Sequence, residues 1–295
     1  MTNLNTIRRL LKDTWHQWRA DDAGTLAAAL AFYTALSIAP LLMAIITIVG
    51  AIFGQDTAER ELIAQITQLM GPQAAAFAQL VIDNQPEPAA RGGVLAVLEL
   101  LVLFWGSANV FNQLFQTLNK IWNVRPKPGV GLLRLLRSRL FSFGLVLAIG
   151  FLLLVSLVLN VTFARLIQQI DARLPAAPWI WQGANLLVTL ALATLLFALL
   201  FKYVPDVKIG WRVTWVGAAV TAVLFVLGTF ILEAYLAGQG TSYGVAGSLV
   251  VFLLWVFYSA QILFLGAELT QVVAHHLGAT TKPLPDTEPP SPPGS

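Results

Sequence analysis

Two stretches of this chain carry polar side chains where apolar ones dominate, and their spacing limits the chemistry open to them. Tyr258, Gln261, Leu265, Glu268, Val272 and His275 recur every three or four residues in the run from Ser242 to Val273. On a helix they share one face. Glu99, Gly106, Asn109, Gln113, Gln116 and Lys120 repeat the rhythm in an earlier run, with Asn112 and Asn119 beside the row. Amides, a phenol and isolated carboxylates in such places can bind a head group, hand on a proton, or knit helices together. They do not make a nucleophile and its base. The three histidines, His16, His275 and His276, stand in neither H-x-H nor H-E-x-x-H spacing, and there is no cysteine and no GxxxxGK[ST]. The sequence therefore predicts no metal site, no cofactor, no disulfide and no catalytic residue.

The elements that must position these residues are membrane spans. Of 295 residues, 57% are hydrophobic and 11% charged, against about 25% charged in an ordinary soluble domain. Six apolar runs are long enough to cross a hydrocarbon core of about 30 Å: 27–53, 93–115, 140–163, a fourth entered at Trp179 and Trp181 and ending near Tyr203, 213–236, and 242–273. The expected fold is an all-α integral membrane protein with six transmembrane helices. Residues 1–22 read as an amphipathic helix, with Leu4, Ile7, Leu11, Trp15 and Trp18 at helical spacing and Arg8, Arg9, Lys12 and Arg19 between them. It lies on the membrane surface or packs on the protein's own loops. Residues 23–276 form the membrane domain, with an external helical hairpin at 55–92 broken by Gly71-Pro72. That hairpin covers the mouth of the domain or simply buries its apolar face on the bundle. The tail, 277–295, holds six of the fifteen prolines and is expected to be disordered.

Within the spans, Ala27, Ala31, Ala35 and Ala39 form a smooth strip for close helix approach. Pro40 cannot donate to the carbonyl of Leu36, so a kink is expected, re-satisfied by Ser37, a neighbour or water. Pro40 is a candidate hinge; the competing reading is a kink that only packs. Gly238 to Gly244, with Tyr243, joins the last two spans as a tight turn or a place of close backbone approach to a ligand. Trp122, Trp211 and Trp215 are suited to membrane interfaces.

Charge gives the orientation. With six spans both termini share a side, and 14 of the 18 Lys and Arg fall on it, which places both termini in the cytoplasm. Juxtamembrane basic residues are thereby explained by topology and anionic lipid, and no nucleic-acid partner is expected. Glu99 and Glu233 then lie toward the outer side and Glu268 toward the inner. Lys120, Arg134, Arg137 and Arg139 stand at the inner entrance, either as contacts for an anionic head group or as topology determinants alone.

Three segments together carry a resemblance: Ala27 to Pro40 (AAALAFYTALSIAP), Asn109 to Val124 with Leu118-Asn119-Lys120-Ile121-Trp122, and Tyr243 to Gln261 followed by Gly266-Ala267-Glu268. Over about residues 15–275 the chain resembles the YihY / virulence factor BrkB family of bacterial inner-membrane proteins. The resemblance implies a six-helix inner-membrane protein linked to envelope integrity, serum resistance and transport of lipid or lipopolysaccharide precursors. It supplies neither substrate nor catalytic residues. Members of this family have also carried a ribonuclease BN label, for which this sequence lacks the metal-ligand cluster.

Two functions follow as expectations. One is a transporter or flippase for an amphipathic envelope molecule, with membrane lipids as partners and Glu99, Asn109, Asn112, Gln113, Glu233, Tyr243, Tyr258, Gln261 and Glu268 along the pathway. The other is a non-transporting scaffold in which the same polar rows only tie helices together. Neither needs enzyme chemistry, and neither fixes the oligomeric state.

Overall fold

Helices dominate the computed structural model of the chain, described over residues 4–84, 109–126, 178–237, 244–278, 282–283 and 287–288. Glu99, Arg134, Arg137, Arg139 and Tyr243 lie outside the described residues, as do the third expected span and most of the second. Pro40 and Glu233 sit in described helices, but their side chains lie outside the description.

Helix α1 (Leu4–Ala20) ends at Asp21-Asp22, where Asp22 takes a left-handed backbone (φ 54°) and its carbonyl accepts from Thr25 and Leu26 at 2.9 and 3.1 Å. An aspartate tolerates that conformation better than most residues. Helix α2 (Ala23–Phe53) is 31 residues without a charged side chain, long enough to outrun the bilayer core at about 1.5 Å per residue. It continues through Pro40, and Ser37 Oγ donates to the Thr34 carbonyl at 3.0 Å. The expected rescue of the Leu36 carbonyl by Ser37 is thus corrected: a serine in a helix reaches back toward the preceding turn. Ala27 and Ala31 of the alanine strip are buried.

Gly54 (φ 89°) closes α2 and Gly71 (φ 85°) closes α3 (Gln55–Met70); Pro72 then opens α4 (Pro72–Asp83). Glycine reaches these angles at no steric cost, and proline at the first helical position lacks only an N–H that would be unpaired anyway. A helical segment at 109–121, here α5, follows. It ends at Asn123 (φ 52°), past which Val124 N–H donates to Asn119 O at 3.0 Å. Next come α6 (Pro178–Tyr203), α7 (Trp211–Ala237) and α8 (Gly244–His276). Among the described residues, Leu186–Tyr203, Trp211–Leu232 and Gly247–His276 are each long and apolar enough to cross a membrane, and α1 with α2 adds a fourth if taken as one broken span.

The chain divides into two compact units. One holds α2 to α4, the second half of α7 and the first half of α8. There Ala74, Phe77 and Phe252 form a core against which Ala35, Ile38, Ile66, Met70 and Val256 pack, with the Phe77 and Phe252 rings 5.2 Å apart. The hairpin buries its apolar face by ordinary packing. Gln79 Nε2 ties its two helices by donating to Glu59 Oε1 at 2.9 Å.

The other unit holds most of α1, the end of α5, α6, the first half of α7 and the second half of α8. Its buried apolar residues include Leu118, Ile121, Phe197, Phe201, Ala218 and Ala267. Here the tail departs from expectation. Strand β1 (Arg125–Pro126) pairs antiparallel with β4 (Thr287–Glu288), and β2 (Val207–Lys208) with β3 (Lys282–Pro283). Proline biases both its own residue and the one before it toward extended backbone. That geometry serves disorder and strand pairing equally, and composition cannot choose between them.

Candidate functional site

Helix α7 is apolar on its open side and small or polar on its buried side. Val216, Val220, Val223, Leu227 and Phe230 are exposed along one row, whereas Thr214, Gly217, Ala218, Thr221 and Ala222 are buried on the other. A water-soluble helix has the opposite arrangement. Where lipid tails are as apolar as any side chain, small residues on the inner face let backbones approach closely.

The close approach is to α8. A β-carbon at Gly217 would fall 1.8 Å from Thr270 Oγ1, and one at Gly266 would fall 1.9 Å from Thr221 Oγ1. Each threonine therefore fills the notch of a glycine on the facing helix. Each also donates to the glycine four residues before it on its own helix, Thr221 Oγ1 to Gly217 O at 2.7 Å and Thr270 Oγ1 to Gly266 O at 2.6 Å. Two Gly-x-x-x-Thr segments thus interlock reciprocally. In the other unit, the Tyr258 hydroxyl occupies the notch at Gly228, and Trp255 meets Phe225 edge-on with ring centroids 5.9 Å apart.

Beside this seam, α8 carries the polar residues that matter most. Glu268 is 0% exposed and Gln271, one turn on, is 2% exposed. Gln271 Oε1 has no hydrogen-bond partner among the described residues. Burying a carboxylate and an amide in an apolar helix costs several kcal/mol unless their surroundings compensate, on the order of 3 for the charge alone. This is the one place among the described spans where such groups are wholly enclosed.

Along the α8 row, Glu268 and Val272 are buried, Tyr258, Gln261 and Leu265 half-buried, and His275 exposed. On α5 the described part of the polar row is divided. Asn112, Gln116 and Lys120 are exposed, Asn109 and Gln113 half-buried, and the buried polar residue is Asn119, which stood beside the row. Asn119 Oδ1 accepts from the Asp206 N–H at 2.8 Å, fastening the end of α5 to the turn after α6. Gln113 Nε2 reaches Thr117 Oγ1 on its own helix at 3.4 Å. Periodicity finds a polar row, but it does not say which side of it faces inward.

Trp122 is likewise corrected from an interface anchor to a core residue, 5% exposed, with its indole N–H lacking a hydrogen-bond partner among the described residues. Trp211 and Trp215 do stand exposed at the start of α7, stacked at 6.2 Å. Lys202 sits over the Trp211 ring at 5.3 Å and donates to the Ile209 carbonyl. That arrangement suits a membrane–water boundary. Gln271 and the Gly–Thr seam went unread as sites, although Gly217-x-x-x-Thr221 and Gly266-x-x-x-Thr270 are legible as small-residue spacing.

The family described as Virulence factor BrkB matches residues 14–290. The chain is 29% identical over 262 residues to UPF0761 membrane protein MS0032 of Mannheimia succiniciproducens, covering 84% of this chain and 83% of that one. It is 22% identical to YfkH of Bacillus subtilis, whose name calls it ribonuclease-like, over 95% of this chain and 98% of that one. A UPF0761 membrane protein of Verminephrobacter eiseniae is 28% identical over 86% of this chain but only 59% of its own length. No solved structure matches. With a family match across nearly its whole length and apolar helices of spanning length, the chain belongs to the virulence factor BrkB family of membrane proteins.

Proposed function

We propose that this protein is a six-span inner-membrane transporter or flippase for an amphipathic envelope molecule, such as a lipid or lipopolysaccharide precursor, with both termini in the cytoplasm. The observation that carries the reading is the fully buried Glu268, with the buried Gln271 one turn on, inside a 33-residue apolar helix. Enclosed polar groups are expensive in a bilayer, and a path for a head group or proton gives them a role. The distribution of Lys and Arg supports the orientation. The ribonuclease-like name of YfkH is not carried over. His275 and His276 are adjacent on the last turn of α8, and metal-assisted hydrolysis needs ligands converging on one point.

A second reading has its own observation. The Gly–Thr seam packs α7 closely against α8, and the Asn119–Asp206 bond fastens a helix end to a turn, which is what a scaffold requires.

Translocation in proteoliposomes separates the two. The parent protein is expected to make a fluorescent-headgroup phosphatidylglycerol in the inner leaflet accessible to external dithionite, and Gln261→Ala/Glu268→Gln is expected to slow this at least tenfold while remaining folded. Protein-free rates from the folded parent would favour the scaffold.

A further inference from the structure

Helix α1 keeps an apolar row about half exposed. Ile7, Leu11 and Trp15, at four-residue spacing, are 45%, 60% and 55% exposed, whereas Thr14 on the adjoining row is buried and Leu10, Gln17 and Trp18 are partly so. One side of the apolar face is therefore packed against protein. The other, equally apolar side is left open.

The surroundings of the open row identify what covers it. Arg8 and Lys12 follow Ile7 and Leu11 by one residue, so on the helix they form the adjacent row, and Arg19 extends it. Farther round, Asn5, Arg8, Arg9, Lys12 and Asp13 line an open hollow. Helix α1 carries four basic residues against the single acid Asp13. Only Asp21 and Asp22 separate it from a 31-residue helix with no charged side chain, so its neighbour is the bilayer that receives α2. An apolar line edged by arginine and lysine, with an exposed tryptophan and a two-residue tether to a span, matches acyl chains beneath anionic phosphates.

We propose that α1 is an interfacial anchor that sinks Ile7, Leu11 and Trp15 into the leaflet on its own side of the membrane while Arg8, Arg9 and Lys12 hold anionic lipid head groups. This surface is independent of the buried Glu268 and of any transport activity. A second copy of the chain or a soluble protein on the same row is the competing occupant.

The absence of native cysteine makes the test clean. Leu11→Cys and His16→Cys each receive a nitroxide in the full-length protein, reconstituted in nanodiscs of phosphatidylcholine with or without phosphatidylglycerol. Both positions are exposed, so neither substitution disturbs the core. With phosphatidylglycerol, the ratio of collision with oxygen to collision with a water-soluble nickel chelate should be several-fold higher at position 11 than at position 16. In an Arg8→Gln/Arg9→Gln/Lys12→Gln background, the gain from phosphatidylglycerol should disappear. Equal chelate access at the two positions would overturn the proposal. So would a label at position 11 shielded from both reagents, which would mean a protein cover, and so would a depth indifferent to the anionic lipid.

Discussion

Gly217→Ala is expected to destabilise the purified protein by about 2 kcal/mol or more, the range of a core overpacked by a single methyl group. The added carbon would lie 1.8 Å from Thr270 Oγ1 and 2.8 Å from its Cβ. Thr270 is fully buried and holds a 2.6 Å bond to the Gly266 carbonyl. Rotating the threonine leaves its Cβ where it is, 2.8 Å from the added carbon, so the backbones themselves must part. Gly228→Ala is the control. Its carbon would meet the Tyr258 hydroxyl at 0.9 Å and two ring carbons at 2.0 and 2.8 Å, but these are the far end of a long, half-buried side chain. Tyr258 can swing its far end aside through its side-chain torsions, which costs less than parting two backbones. Thermal melting should rank Gly217→Ala well below Gly228→Ala, and Thr270→Gly placed on Gly217→Ala should restore part of the loss. Parent-like melting of Gly217→Ala would refute the interlocked seam.

The second large effect concerns Glu268. Glu268→Gln keeps the shape and an acceptor oxygen while removing any charge from a position with no solvent exposure. A neutral amide is cheaper to enclose than a carboxylate, so stability should stay within about 1 kcal/mol of the parent. Glu268→Ala leaves a void at a fully buried position and should cost about 2 kcal/mol or more. The two variants thus divide: one melts with the parent, the other well below it. Were Glu268 present only to pair with a nearby cation, Glu268→Gln would fall with Glu268→Ala, because the buried partner would be stranded.

The α6 and α7 boundaries were open to reading because chemistry marks them: Tyr203 and Pro205 at one end, Trp211 and Trp215 at the other. The break at Gly71-Pro72 was legible for the same reason. Spacing puts Glu268 on one helix face with Tyr258 and Gln261, but it does not tell that this carboxylate alone of the three is fully buried. What escaped is what depends on a distant partner. Asn119 lay off the polar row, and its bond to Asp206 spans a sequence separation of 87 residues. Pairing of the tail at Lys282–Pro283 and Thr287–Glu288 requires edges offered by two remote turns. Trp122 illustrates a different limit: a tryptophan near a span end suits both an interface and a core, and only packing decides.

What most needs deciding is whether the buried Glu268 and Gln271, with the half-buried Gln261 on the same helix, serve an amphiphile rather than the fold alone. Mass spectrometry of lipids and small amphiphiles retained by the gently purified parent, beside the folded Gln261→Ala/Glu268→Gln variant, tests it most directly. The expected result is one defined envelope amphiphile held by the parent and lost from the variant. Bulk membrane lipid alone, in equal amounts on both, would contradict it.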